Sequence, residues 1–187
     1  MKKQIFAAVL SSSLSLPSFA AGVYVFGAFE RNKAEADIEG FTLSETDNGY
    51  GFGLGYQINN TLAVEFAYRD MLSLSSSESY EDFEYRENVD ITALQLSMLA
   101  RYPLNKKVNV YGRLGVGKVE IDSEYREIDW GGTYIESSSE SKNKAVFGVG
   151  GSYAFTEQLG ARLEYNQFAK IEETTLSSIS LALTYNF

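Results

Sequence analysis

The sequence contains neither cysteine nor histidine. Without cysteine the chain forms no disulfide, so an exported domain of this size needs another source of stability. Without histidine a Ser–His catalytic arrangement is impossible, and the side chain most often used as a general base near neutral pH is missing. Both absences argue against an enzyme that depends on a histidine base, and they leave structural and binding roles open.

Long apolar runs are also missing after residue 20, where no stretch reaches the ~20 residues of a membrane helix. The first twenty residues combine Lys2 and Lys3 with an apolar stretch at 5–16 and the small-residue pattern Ser-Phe-Ala at 18–20. This pattern indicates a secretory signal peptide, because the apolar stretch is too short and too rich in serine for a membrane anchor. We therefore predict a signal peptide at 1–20 and one folded domain at 21–187.

Positive charge is scarce as well. The formal net charge is −9, and removal of Lys2 and Lys3 makes it −11. An acidic surface argues against nucleic acid as a partner. Between Asp70 and Asp90 seven acids stand against the single cation Arg86. No D-x-D-x-D-G calcium loop occurs, so we expect no dedicated metal site, and no motif points to a cofactor.

What the sequence does contain is alternation with a period of two. In "NGYGFGLGYQI", residues 48–58, glycine occupies every second position, and the residues between are aromatic or aliphatic. Six further segments also set an apolar face against a small or polar one, which is the strand pattern. A segment at 22–30 is apolar on both faces, so its register stays unassigned. The six segments lie at 61–68, 94–102, 108–117, 145–155, 159–166 and 178–187.

The eight segments are joined by connections of alternating length. Short connections fall at 59–60, 103–107 and 156–157, and long polar ones at 31–47, 70–88, 119–143 and 169–176. Such alternation predicts an up-and-down antiparallel meander. A soluble β-sandwich is the alternative, but arginine, glutamate, glutamine and asparagine at strand centres would be costly in its core. The pattern instead favours an all-β, eight-stranded antiparallel up-and-down transmembrane β-barrel with a polar interior, in which glycines leave room for large side chains.

The charged residues of the interior face form the candidate site. Arginine pairs with carboxylates through two-point contacts, so an ion-pair network that fills the lumen is the favoured interpretation. A gated ion path or a proton site is the alternative, which the packed interior of an eight-stranded barrel disfavours. We assign no catalytic and no metal-binding residues. The predicted network residues are Glu65, Arg69, Arg101, Arg113, Arg162 and Glu164.

The signal peptide, the eight segments and the ending "LALTYNF" together resemble the OmpA-like and OmpX-like small outer-membrane β-barrels of Gram-negative bacteria. The resemblance covers the mature chain. It implies a barrel-only member without a periplasmic domain, with both ends of the mature chain in the periplasm. It also implies that the barrel-assembly machinery reads the alternate residues of the last strand, namely Leu181, Leu183, Tyr185 and Phe187.

The resemblance further implies a monomer in contact with outer-membrane lipid and lipopolysaccharide, with roles that range from adhesion to envelope integrity. We therefore predict a non-enzymatic protein that maintains the envelope and presents acidic extracellular loops to a protein or host-surface partner. A small porin-like channel is the first alternative. An outer-membrane barrel enzyme is the second, disfavoured because histidine is absent.

One long connection carries a more specific prediction. Residues 119–143 alternate acidic and apolar side chains around Gly131-Gly132, a plausible hairpin turn. The fifth and sixth strands are therefore expected to extend as a protruding ribbon whose edge can pair with a strand of another chain. A solvated, self-repelling acidic loop remains the alternative.

Overall fold

Eight antiparallel strands form a closed barrel in which each strand pairs with its sequence neighbours and β1 pairs with β8. The structure, a computed structural model, describes residues 22–38, 41–80, 83–129, 132–170 and 174–187, so the predicted signal peptide lies outside it. No helix in these ranges is long and apolar enough to cross a membrane. The strands are β1 (Val23–Ile38), β2 (Phe41–Gln57), β3 (Leu62–Tyr80), β4 (Phe83–Pro103), β5 (Val108–Asp129), β6 (Gly132–Ala154), β7 (Leu159–Phe168) and β8 (Thr174–Asn186).

The three connections at one end of the barrel share a local cause. Side-chain oxygens of Asn59, Asn105 and Thr156 each accept hydrogen bonds from two backbone N–H groups that lie two and three residues further along the chain. Asparagine and threonine close turns in this way because their short polar side chains imitate a backbone carbonyl. The predicted short connections are confirmed at this end, which we call the short-turn end.

The side chains alternate between the interior and the exterior of the barrel. On β2, Tyr50, Phe52 and Leu54 are 47%, 43% and 54% exposed, whereas Gly49 and Gly51, at alternate positions, are buried. The same apolar exterior continues around the barrel, and buried charged residues lie inside it. A soluble barrel would show the reverse arrangement. The predicted fold class, an eight-stranded antiparallel barrel with a polar interior, is therefore confirmed.

The glycine row of β2 is explained by the strand beside it. A Cβ atom on Gly55 would lie 2.2 Å from the Tyr24 ring, and one on Gly53 would lie 2.7 Å from the Phe26 ring. On β6 a Cβ atom on Gly150 would lie 2.5 Å from the Tyr111 ring. The glycines thus hold the rings of neighbouring strands in a barrel too narrow for a side chain at every interior position.

The register of β1 becomes clear in the structure. Tyr24, Phe26 and Glu30 are buried in the interior, whereas Val25 and Phe29 are exposed outside. The sequence could not decide this, since an apolar residue occupies each face at every level from Val23 to Phe29. The assignment brings Glu30 into the lumen.

Two of the connections predicted as long and polar, at 31–47 and 70–88, are wrong in extent, whereas 119–143 was predicted to contain extended, paired strands. The structure continues the strands through most of 31–47, 70–88 and 119–143, and the chain reverses between residues 38 and 41, 80 and 83, and 129 and 132. Apolar alternation is weak at 31–47 and 70–88, where most of the described side chains are exposed or half-buried, although the backbone ladder continues. The predicted extension of the fifth and sixth strands is confirmed, and β3 and β4 share it.

The second glycine of the hairpin turn predicted at Gly131-Gly132 is the first residue of β6. Gly132 pairs with Asp129 in the β5–β6 ladder, and Gly131 lies outside the described residues. The β8 ladder also begins at Thr174, inside the connection predicted at 169–176.

At the end opposite the short turns the barrel wall divides into two sheets. The β2–β3 ladder stops at the pair Tyr50–Asp70, and the β6–β7 ladder stops at Val146–Phe168. Beyond these points β8, β1 and β2 continue together, and β3 to β6 continue as a separate four-stranded sheet. We call this second extension, within residues 72–92 and 119–144, the hairpin sheet.

A β-bulge lies where β3 enters the hairpin sheet. Asp70 pairs with Thr92 and Leu72 with Ile91, so Met71 is one extra residue in β3. The backbone oxygen of Met71 accepts a hydrogen bond of 2.7 Å from the buried Asn32 amide.

The neighbouring strand accommodates this bulge through a glycine. A Cβ atom on Gly49 would lie 1.9 Å from the Asp70 backbone oxygen and 2.6 Å from Asn32 Nδ2. Only a residue without a side chain allows β2 and β3 to approach so closely at this point.

Candidate functional site

The interior of the barrel is layered along its axis. Near the short-turn end an aromatic and aliphatic cluster contains Tyr24, Phe26, Ala63, Ala67, Leu99 and Tyr111. Buried charged side chains, which we call the ionic layer, follow above it; they are Glu30, Glu65, Arg69, Arg113, Arg162 and Glu164. An apolar cluster, which we call the apolar plug, closes the far end and contains Met71, Leu72, Ala93, Val119, Val146, Phe168 and Leu176.

Glu65 on β3 is one centre of the ionic layer. Arg113 Nη2 lies 2.6 Å from Glu65 Oε2, and Arg162 Nη1 contacts Glu65 Oε1. The Tyr24 hydroxyl donates a hydrogen bond of 2.6 Å to the same Oε1. Glu65 is 1% exposed, so these donors from β1, β5 and β7 replace the water that the carboxylate loses.

Glu164 on β7 is the second centre. Arg113 reaches Glu164 Oε2 with both Nη2, at 2.8 Å, and Nε, at 3.1 Å, and so bridges the two carboxylates. The Tyr111 hydroxyl donates to Oε2 at 2.8 Å. Arg69 Nη2 lies 3.3 Å from Oε1, and the Asn166 amide donates to that oxygen at 2.6 Å.

Glu30 completes the ionic layer on the side of the apolar plug, where Arg69 Nη1 contacts its Oε1. Arg69 also donates from Nε to Gln95 Oε1 at 2.8 Å. Glu30 was not among the predicted residues, because it lies on the strand whose register the sequence left open. With Glu30 included, three carboxylates face three guanidinium groups, so the layer carries no net formal charge.

Arg101 is placed apart from the carboxylates. It donates to the Tyr24 hydroxyl at 2.8 Å and to Gln57 Oε1 at 3.1 Å, near the short-turn end. Its guanidinium carbon lies 5.2 Å from the centre of the Tyr24 ring. The structure thus brings five of the six predicted residues into direct ion pairs, and it links Arg101 to them only through Tyr24.

Aromatic rings enclose one of the guanidinium groups. The Arg162 Cζ atom lies 4.5 Å from the Phe26 ring centre and 5.9 Å from the Tyr111 ring centre. Cation–π contacts of this kind gain strength where water is excluded. Tyr111 could have been found from sequence, because a tyrosine on the polar face of a strand indicates a hydroxyl that needs an interior partner.

The ionic layer offers little for catalysis or ligand binding, because its charged groups are paired with one another. The described carboxylates of the ionic layer accept from arginine, tyrosine or amide donors, and the apolar plug covers the layer on one side. Among the described ranges no group of three or more acidic side chains is placed to hold a metal ion. The interior therefore resembles a packed core more closely than a substrate pocket.

The last strand carries the residues predicted as an assembly signal on the exterior. Leu181, Leu183, Tyr185 and Phe187 are all exposed on the apolar side of β8. The rings of Tyr185 and Phe187 pack edge to face at 5.3 Å, as do those of Tyr153 near the end of β6 and Phe155 directly after it. These pairs form part of an aromatic belt at the short-turn end.

The exposed edge of the hairpin sheet is a second candidate site. The ladder between β6 and β7 ends near Ala145, whose backbone oxygen accepts from Ala169 N at 2.8 Å. Lys144 Nζ donates a hydrogen bond of 2.7 Å to the Lys170 backbone oxygen. Beyond this point, the described residues of β6 pair with β5 on one side and with no described strand on the other.

An apolar exterior, a charged interior, aromatic belts and a closed antiparallel ladder define the class of integral outer-membrane β-barrels. The chain belongs to the family of the outer membrane protein beta-barrel domain, whose model matches residues 6–187. It is accordingly a small barrel of the OmpA-like and OmpX-like type in the outer membrane of a Gram-negative bacterium.

The curated relatives include outer membrane protein P5 of Haemophilus influenzae. One form is 26% identical over 179 residues, which is 90% of this chain and 49% of the relative. Another is 30% identical over 128 residues, which is 65% of this chain and 35% of the relative. The chain thus spans about half the length of these relatives, or less.

Two solved structures share the fold. Neisserial surface protein A superposes with a TM-score of 0.65 at 17% identity and covers 89% of this chain and 98% of that one. The Yersinia pestis attachment invasion locus protein Ail, solved with the heparin analogue sucrose octasulfate, superposes with a TM-score of 0.63 at 18% identity. That match covers 89% of this chain and 99% of Ail. At these identities the likeness concerns the fold.

Proposed function

We propose that the protein is a non-enzymatic surface protein whose filled barrel anchors the hairpin sheet outside the cell, where the free edge of β6 binds a protein of a host or neighbouring surface. The observation that carries this proposal is the missing ladder partner of β6 beyond Ala145 in the described part of the chain. A strand edge offers a row of backbone donors and acceptors, to which an extended peptide can add as a further strand.

The edge residues follow from strand geometry. The Ala145 backbone oxygen points toward β7, and the direction of the backbone groups alternates along a strand. The backbone groups of Asn143, Ser141, Ser139 and Ser137 therefore point away from β5, toward the free side. Because serine side chains are small, an approaching backbone meets little steric obstruction along this part of the edge.

Proline tests the edge directly. Replacing Ser137 and Ser141 with proline removes two outward N–H groups and leaves the bonds to β5 in place. We expect bacteria that display the Ser137→Pro/Ser141→Pro variant to adhere less to epithelial monolayers than bacteria that display the original chain. The matched Ser137→Ala/Ser141→Ala variant keeps both N–H groups and should adhere normally.

Equal adherence of all three strains, at equal surface abundance, would rule out edge pairing. Abundance is checked by heat-dependent migration of the folded barrel in electrophoresis. A fall in both variants would instead assign the effect to the serine side chains and also contradict the proposal.

The ionic layer has a structural role in this proposal. Three carboxylates and three guanidinium groups fill the lumen and fix the eight strands relative to one another, although such buried pairs add little net stability compared with apolar packing. Their main contribution is then to specify one arrangement of strands. The apolar plug argues against the porin-like alternative, since ions would have to cross a dry cluster to leave the lumen.

Further parts of the proposal concern assembly and surroundings. The exposed residues Leu181, Leu183, Tyr185 and Phe187 of β8 suit recognition by the barrel-assembly machinery, and the apolar exterior suits contact with outer-membrane lipid and lipopolysaccharide. A closed ladder needs no second copy to satisfy its strand edges within the membrane, which supports a monomer. No histidine is present to support the enzyme alternative.

A further inference from the structure

The distal part of the hairpin sheet carries tyrosine and glutamate in a chequered array on one face. In the ladder, Tyr125 on β5 pairs with Glu87 on β4 and with Glu136 on β6. One row further out, Glu127 holds the register position between Tyr85 and Tyr134. Each tyrosine position is therefore flanked across the sheet by glutamate positions.

Ring contacts confirm that the three tyrosines share a face. The ring centres of Tyr85 and Tyr125 are 5.4 Å apart, and those of Tyr125 and Tyr134 are 6.5 Å apart. Tyr134 is 57% exposed, and the side chains of Glu87 and Glu136 are exposed beside it. The surface is thus a row of two half-buried tyrosine rings and one exposed tyrosine ring, bordered on both sides by exposed carboxylates.

Hydrogen bonds within the array orient its carboxylates. The Tyr85 hydroxyl donates to Glu87 Oε2 at 2.7 Å, and the Tyr134 hydroxyl donates to Glu136 Oε2 at 3.3 Å. A hydroxyl donor occupies only part of the acceptor capacity of a carboxylate, so each can still accept from a cation. Long apolar patches are usually avoided on exposed sheets, which makes a row of rings at this position informative.

We propose that this face, defined by Tyr85, Glu87, Tyr125, Tyr134 and Glu136, binds an arginine-rich basic segment of an extracellular protein. A guanidinium group is flat, stacks on an aromatic ring and pairs with a carboxylate through two donors, so it matches both components of the array. A lysine ammonium satisfies the charge but stacks less well. The alternation along each strand suits a peptide that presents basic residues at every second position.

Charges around the array support a cationic partner. Arg86 and Arg126 occupy facing register positions on β4 and β5. By strand alternation both belong to the opposite face of the sheet. Lys142 and Lys144 share the face of Glu136 but are six and eight residues away, which is about 20 Å or more along the strand. Lys142 is also paired with Glu140 at 3.2 Å. Across the mouth, Glu45 on β2 adds a further exposed carboxylate.

This inference rests on the proposed function in one respect, namely that the hairpin sheet is a contact surface, and it names the chemistry of the partner. The variants that test it change side chains on the face and leave the β6 backbone edge intact. Loss of adherence in the proline variant and loss of peptide binding in the face variants therefore report on separate claims.

The experiment measures binding of a synthetic oligo-arginine peptide to the whole chain in detergent micelles by isothermal titration calorimetry. At an ionic strength of about 0.15 M long-range attraction is screened, so contact geometry decides affinity. We expect Glu87→Gln/Glu136→Gln to weaken binding about tenfold, because two exposed charge contacts, each supported by ring stacking, are lost. An oligo-lysine peptide of equal length should bind more weakly than oligo-arginine.

The matched control removes the same charge from the other face. Asp122 and Glu124 lie on β5 at outward positions of the same sheet, and Asp122→Asn/Glu124→Gln removes the same amount of negative charge. We expect this control to bind as the original chain does. Equal weakening by both double variants would reduce the effect to general acidic attraction and overturn the proposal.

A second pair of variants separates the rings from the charges. Tyr125→Phe keeps the ring and should retain binding, whereas Tyr125→Ser removes it and should weaken binding several-fold. Circular dichroism and heat-dependent electrophoretic migration confirm that each variant is folded. Unchanged binding by Tyr125→Ser, or equal affinity for oligo-arginine and oligo-lysine, would exclude the aromatic contribution and contradict the proposal.

Discussion

At the scale of single residues, Arg113 is the side chain on which the interior depends most. Its Nη2 atom lies 2.6 Å from Glu65 and 2.8 Å from Glu164, so one guanidinium group connects β3 and β7 through β5. Removing a buried charge partner costs more than the pair contributes, because the remaining charge stays in a site without water. This cost can be measured by replacing one buried glutamate with glutamine, which has nearly the same shape but no charge.

Glu65→Gln should lower the free energy of unfolding by about 3–5 kcal/mol, since two buried guanidinium groups lose a charged acceptor. The measurement is urea unfolding of the barrel in lipid vesicles, followed by fluorescence and by electrophoretic migration. Glu140→Gln, which removes an exposed carboxylate paired with the half-buried Lys142, is the matched control and should change stability by less than about 1 kcal/mol. Similar losses in the two variants would show that burial of the pair is unimportant.

Residue by residue, the candidate site was predictable where the strand register could be read. Arg113 and Glu164 lie on segments with one clearly apolar face, so their inward direction followed from alternation. Glu30 escaped because β1 is apolar on both faces, and Arg101 was grouped with the others although its partners are Tyr24 and Gln57. The position of an arginine along the barrel axis does not reveal whether its acceptor is a neutral group or a carboxylate.

At the scale of elements, β2 shows how one strand is shaped by its neighbour. Its interior face lacks side chains because the rings of β1 occupy that space, as the 2.2 Å approach to a Cβ atom on Gly55 shows. The hydroxyl group of the Tyr24 ring held there donates a hydrogen bond to Glu65 and accepts one from Arg101. The glycine row is therefore coupled to the ionic layer through a single aromatic side chain.

Gly55→Ala should destabilise the barrel by about 1–3 kcal/mol, because the new methyl group displaces the Tyr24 ring and its hydrogen bonds. Gly112→Ala is the matched control: a Cβ atom there meets nothing within 4 Å on the lipid side of β5. That control should be neutral within about 0.5 kcal/mol. Thermal denaturation of both variants in the same detergent compares them, and equal midpoints would refute the packing explanation.

The strands could be predicted from the sequence within the membrane but not beyond it. The membrane-spanning part of each strand was predictable, because lipid on one side and a polar lumen on the other impose alternation. Beyond the membrane the segment "SLSSSES" at 73–79 continues as β3, paired with β4 from Ser73 to Ser79. Most of the described side chains in this segment are exposed, so its composition does not distinguish a paired strand from a loop.

At the scale of the whole molecule, the layers of the interior describe a filled cylinder. The aromatic cluster, the ionic layer and the apolar plug follow one another from the short-turn end to the divided mouth. An ion crossing this path would have to displace buried side chains at each level. The small-channel alternative requires a continuous water-filled path, which side chains of an eight-stranded barrel leave little room to form.

We therefore expect the purified chain to produce no single-channel steps in a planar lipid bilayer at high salt. The Phe168→Gly/Leu176→Gly variant removes two large members of the apolar plug and serves as the comparison. We expect it to conduct ions only if the ionic layer also loosens. A porin of larger diameter provides the positive control for insertion. Discrete conductance steps from the unmodified chain would restore the channel alternative.

The bulge in β3 has a consequence for chain length. Because Met71 is an extra residue, β3 contributes both Met71 and Leu72 to the lumen at one level, where an unbulged strand contributes a single side chain. Deleting Met71 would leave the rest of the ladder in register and withdraw the carbonyl that fixes Asn32. The filling of the apolar plug thus depends on the number of residues in β3 as well as on their hydrophobicity, because the loss of Met71 alone would remove one buried side chain and the backbone oxygen that holds Asn32.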